Sequence, residues 1–128
     1  MGKYQKKSAF WRSLKRAWRG ICHTLKTQRH MQFHVLATII VLSMAWWTKV
    51  SRFEWLILMV AIGCVIGAEV MNSAVEIVVD MVQPNFHPLA GMAKDVASGA
   101  VLVTAIQAIV IGLIVFAPSL FRFMGKVF

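Results

Sequence analysis

The chain has 128 residues, the length of a single domain, and 59% of them are hydrophobic while only 15% are charged. The charges are unevenly placed: nine of the 14 Lys and Arg residues fall within the first 30 positions, and no Asp or Glu precedes Glu54. This balance excludes an ordinary soluble domain and points to a membrane protein with a basic N-terminal arm. Such an arm suits nucleic acid or an anionic bilayer surface, and the apolar remainder favours the bilayer, so no nucleic-acid partner is expected.

The arm comprises residues 1–30. Within residues 10–25, Trp11, Leu14, Trp18, Ile21, Cys22 and Leu25 recur at spacings of three and four, with Arg12, Lys15, Arg16 and Arg19 mostly on the other side. This predicts an amphipathic helix lying in the headgroup layer; a helix packed on a partner protein is the alternative. Three apolar segments follow, at about residues 33–47, 53–82 and 97–117. The first ends on Trp46–Trp47, an interfacial pair. The third is expected to stop at Pro118. The predicted class is therefore an all-α membrane protein, a surface helix plus three transmembrane helices.

Cys22 in the arm and Cys64 within an apolar run are not expected to form a disulfide. A cleaved signal peptide is not expected either, because the charged region ahead of Phe33 is too long. Lys94 joins the nine basic residues of the arm on one side, against Lys49, Arg52, Arg122 and Lys126 on the other. The positive-inside rule then places the N-terminus and the loop "QPNFHPLAGMAK" in the cytoplasm, in a multi-pass inner (cytoplasmic) membrane protein.

The second segment carries the chemistry. A helix over residues 53–82 is roughly 45 Å long at 1.5 Å per residue, against a hydrocarbon core of about 30 Å. Its surplus is expected on the cytoplasmic side, with Glu69 near the core boundary and Glu76 and Asp80 beyond it. At about 100° per residue, Glu69, Asn72, Glu76 and Asp80 share one sector of roughly 80°. Carboxylates and an amide on one face are suitable oxygen ligands for Mg²⁺, and a carboxylate at that boundary suits a general base. A solvated helix end with one buried, satisfied Glu is the alternative. Lys94 and Asp95 are expected just before the third helix, among small residues that let helices approach closely. The Gly63/Gly67 spacing is likewise read as helix packing, and His30 and His34, four apart, make a weak metal-ligand pair. A small oligomeric channel with Glu69 in a polar path, or a non-catalytic membrane scaffold, is compatible with the same residues.

"EVMNSAVEIVVD" and "HPLAGMAKDVASGAVL" resemble, in identity and spacing, the signature of the prokaryotic diacylglycerol kinase family, which includes undecaprenol kinases. The resemblance implies an ATP-dependent lipid kinase using Mg²⁺, built as a homotrimer with sites shared between neighbouring subunits. It implies that Glu69 takes the proton from the lipid hydroxyl and that Glu76 binds the metal of Mg-ATP. Asn72, Asp80, Lys94 and Asp95 match the nucleotide-site residues, Lys94 holding phosphate oxygens. The wording of "HPLA", "KDVASGAVL" and "FAPSL" favours undecaprenol over diacylglycerol as substrate. One position departs from the family: a second metal-binding Glu usually precedes the first membrane helix, and this chain has Gln28 there. A neutral amide is the weaker ligand, so weakened metal use or impaired catalysis is expected.

The topology is tested by cysteine labelling in intact cells. A cysteine appended after Phe128 should react with a membrane-impermeant maleimide from outside, and reaction only after permeabilisation would reverse the orientation.

Overall fold

The computed structural model describes the backbone of residues 3–127 and the side chains of residues 9–121. The described residues form four helices and no strand: α1 (Lys3–Thr27), α2 (Arg29–Thr48), α3 (Arg52–Val82) and α4 (Pro88–Val127). The last three are each long and apolar enough to cross a membrane. Their outer faces are covered with exposed Leu, Ile, Val, Met and Phe, a surface that suits hydrocarbon.

Only Gln28 interrupts α1 and α2. Its backbone leaves the helical region (φ −103°, ψ 115°). The break is short: the Gln28 N–H still donates to the Thr24 carbonyl (2.9 Å), and the Gln32 N–H donates to the Gln28 carbonyl (3.3 Å). Gln32 Nε2 reaches back to the Leu25 carbonyl at 3.1 Å and ties the two helices across the elbow. Thr24 and Met31 are buried at that elbow, whereas Trp11, Leu14 and Trp18 remain exposed along α1.

The turn from α2 to α3 closes on itself. Lys49 adopts a left-handed conformation (φ 52°, ψ 48°). Its N–H donates to the Trp46 carbonyl and that of Val50 to the Ala45 carbonyl, the paired bonds of a Schellman motif. Ser51 then opens α3 with a capping box: its N–H donates to Glu54 Oε2 (2.6 Å), and the Glu54 N–H donates to Ser51 Oγ (3.2 Å). Glu54, the acid outside the predicted stripe, thus serves the helix start.

α3 and α4 form an antiparallel hairpin, and α2 packs antiparallel to α3. At one end Ala45, Leu58 and Val115 meet in a small apolar core, flanked by Val41, Trp55, Ile111 and Phe116. At the other end Gln28 contacts Glu76, and Lys94 contacts Asp80.

Two sequence expectations change. α4 starts at Pro88 rather than near residue 97. Pro at the first helical position needs no N–H partner, and His87 Nδ1 accepts the Leu89 N–H at 3.2 Å, supplying the cap. Lys94 and Asp95 therefore stand within α4, not ahead of it. The helix also continues past Pro118. Proline removes one N–H from the ladder, an interruption that membrane helices tolerate. The Gly63 and Gly67 faces are open within this chain: an added Cβ would meet no atom within 4 Å.

Ala45 is fully buried against Leu58 and Val115. Ala45→Leu should overfill this layer and lower stability by about 1–3 kcal/mol, read from denaturant unfolding in micelles.

Candidate active site

One face of α3 carries the chain's core and its candidate site in a single line. Leu58, Ala61 and Val65 are buried, and at the same three-and-four spacing they are followed by Glu69, Asn72 and Glu76. The polar stripe is thus the continuation of the apolar packing seam and faces inward. Glu69 is only 2% exposed, as is Ser73, whose hydroxyl donates to the Glu69 carbonyl (3.0 Å). Desolvating a carboxylate to this degree is costly unless a partner compensates.

Seven residues further on, Glu76 is held from two directions. Asn72 Nδ2, one turn earlier, donates to Oε1 at 3.2 Å, and Gln28 Nε2 donates to Oε2 at 2.9 Å. The Gln28 bond spans 48 positions of sequence. It exists because the break between α1 and α2 turns this side chain toward α3. Asn72 Oδ1 is buried and accepts no hydrogen bond. Leaving such an oxygen unpaired costs about 1–3 kcal/mol.

At the end of α3, Asp80 forms an ion pair with Lys94 of α4 (2.5 Å). Both ends are accessible: the Lys94 side chain is 37% exposed and that of Asp80 63%. Of the seven residues singled out in the sequence, the structure joins Gln28, Asn72 and Glu76 in one hydrogen-bonded group and Asp80 and Lys94 in a second. Glu69 lies below the first group on the same seam. Asp95 is exposed and joins neither group by a side-chain bond among the described residues.

The described residues contain no cluster of three or more His, Cys, Asp or Glu able to hold a metal, and this includes His30 and His34. Cys22 and Cys64 are free thiols. Two supporting residues escaped the sequence reading, Ser73 and Gln32. Gln32 had a signal: it stands four residues after Gln28, one helical turn away.

The sequence profile described as prokaryotic diacylglycerol kinase matches residues 15–116, most of the chain and every candidate site residue. The chain belongs to the prokaryotic diacylglycerol kinase family. Among its curated relatives, an undecaprenol kinase of Bacillus subtilis is 41% identical over 87% of this chain and 90% of the relative. A diacylglycerol kinase of Synechocystis is 34% identical over 88% of this chain and 65% of the relative. The diacylglycerol kinase of Escherichia coli K12 is 30% identical over 73% of this chain and 77% of the relative. Membership makes the chain a lipid kinase, and its three apolar helices make it a multi-pass membrane protein.

An exposed ion pair contributes little to folding, so Asp80→Asn should shift unfolding in micelles by less than about 1 kcal/mol. A larger loss would assign the pair a structural role.

Proposed function

We propose that the chain transfers the terminal phosphoryl group of ATP to undecaprenol at the cytoplasmic face of the inner membrane, giving undecaprenyl phosphate. The carrying observation is the seam of α3, where a buried Glu69 lies below the hydrogen-bonded Glu76. A lipid alcohol reaches such a site from the hydrocarbon side, and a nucleotide reaches it from the water side.

In this reading Glu69 accepts the proton of the lipid hydroxyl as its oxygen bonds to the γ-phosphorus. The bond from that phosphorus to the β-phosphate bridging oxygen breaks, and ADP leaves. Glu69 is the catalytic residue, and its burial excludes competing water. Lys94 exchanges its carboxylate partner for phosphate oxygens, while Asp80 and Asp95 border the nucleotide. Positioning and charge neutralisation supply most of the rate in such transfers.

Mg²⁺ fits the residues present. Glu76 would hold it through its carboxylate, Asn72 through a buried oxygen without a partner, and Gln28 through its amide oxygen once that amide turns. When bound it would neutralise phosphate charge. One carboxylate in place of two makes that hold weaker, and reduced turnover follows.

The undecaprenol assignment is supported by the relative from Bacillus subtilis, which combines the higher identity with the fuller coverage. The diacylglycerol reading rests on the other two relatives. A homotrimer with shared sites is supported by the thinness of one three-helix unit. It is also supported by Gly63 and Gly67, whose open faces suit close approach by another membrane helix. An N-terminus in the cytoplasm completes the arrangement.

The test is reconstitution in proteoliposomes with γ-labelled ATP and either undecaprenol or diacylglycerol. Label should enter undecaprenol faster. Glu69→Gln should lower kcat by about 100-fold or more while leaving the KM for ATP within about twofold. Label in neither lipid would end the kinase reading, and faster labelling of diacylglycerol would reverse the substrate assignment.

A further inference from the structure

A base buried as deeply as Glu69, which is 2% exposed, cannot shed a proton directly to water. Each turnover nevertheless loads one proton onto it, and that proton has to leave before the next lipid is served. The structure narrows the choice of acceptor. The neighbouring hydroxyls are spent on the backbone: Ser73 donates to the Glu69 carbonyl (3.0 Å) and Thr38 to the His34 carbonyl (2.8 Å).

The facing helix supplies a better group. On α2, Met31 and Ala45 are buried, and His34, Thr38 and Val41 stand half-buried between them at three-and-four spacing. This is the inward line of α2. Gln28 is bonded to Glu76 at one end of the α2–α3 contact, and Ala45 meets Leu58 at the other. The two helices run antiparallel with the same rise per residue, so counting inward from either contact brings His34 level with Glu69 and Val70. The other charged or titratable groups around it lie nearer the water. They are Arg29 and His30 on α2, Lys26 and His23 on α1, Glu76 on α3, and Lys94 of α4 with its partner Asp80.

We propose that His34 takes the proton from Glu69 and passes it to water, resetting the base for the next turnover. This inference rests on the lipid-kinase reading above and adds the fate of the proton to it. In the transfer itself the lipid O–H proton moves to a Glu69 oxygen. In the relay that O–H bond breaks, an N–H bond forms on the imidazole, and the negative charge returns to Glu69. The imidazolium then releases the proton to the cytoplasmic side. The two side chains share no hydrogen bond or ion pair among the described residues, so the proton crosses one intervening water. Histidine suits the task because its charge changes between pH 5 and 8. His34 acts through Glu69 and does not touch the reacting phosphorus.

The test uses the full chain in proteoliposomes, with lipid labelling from γ-labelled ATP followed between pH 5 and 8. The unaltered protein should lose kcat below neutral pH in a one-proton step, because an imidazolium accepts no further proton. His34→Gln, polar but not titratable, should lower kcat by about tenfold or more, keep the KM for ATP within about twofold and lack that step. Free imidazole should restore kcat in His34→Ala several-fold, more at pH 8 than at pH 6, and should do nothing for Glu69→Gln. If the unaltered protein labels lipid and both His34 variants match it, the relay fails while the kinase reading stands. A lowered kcat with the acid step intact in His34→Gln and no rescue of His34→Ala assigns His34 to packing alone and also overturns the relay. No lipid labelling by the unaltered protein overturns the kinase reading and the relay together.

Discussion

A helix of 31 residues, about 46 Å long, cannot be contained in a hydrocarbon layer about 30 Å thick. α3 must therefore carry two solvents along one face. Its first half packs Leu58, Ala61 and Val65 against its neighbours, and its second half places Glu69, Asn72 and Glu76 on the same line. The other elements follow from that overrun. α4 has to begin early to keep α3 company outside the apolar layer. The break at Gln28 lets the arm turn aside just where α2 would otherwise leave the membrane.

Much of this was written in the periodicity. Carboxylates at three-and-four spacing share a helix face whatever surrounds them, so the stripe could be found without coordinates. What could not be found was its direction. Angular position says that residues face together, and only packing says that they face inward. The bond from Gln28 to Glu76 depends on a backbone break that no sequence pattern announces. The α4 boundaries were misread for a local reason. "QPNFHPLAGMAK" looks like a loop by its prolines, but Pro88 occupies the one helical position that proline favours. Pro118 misled in the opposite direction, because a missing N–H interrupts a long membrane helix without ending it. The role of Glu54 is local, because a capping box leaves little trace in hydropathy.

The bond between Gln28 and Glu76 has a physical meaning of its own. A carboxylate facing Glu76 would repel it until a cation arrived between them. An amide instead donates to it, so the metal-free state becomes a bonded state rather than a strained one. The group is stable in its own right, and its geometry is set before any substrate binds. This arrangement gives order to the unliganded protein.

The two ends of the bundle are held by different forces. At the far end, the Schellman turn and capping box satisfy the backbone locally, and Ala45, Leu58 and Val115 pack without polar atoms. At the near end, α2 meets α3 and α3 meets α4 through side-chain hydrogen bonds and an ion pair open to water. Water and salt compete with the second kind of contact and hardly touch the first. Local opening therefore costs least at the exposed Asp80–Lys94 pair, with the transmembrane helices still associated. Helical content and catalytic competence are separable quantities in this protein, and a detergent-solubilised sample can preserve the first after losing the second.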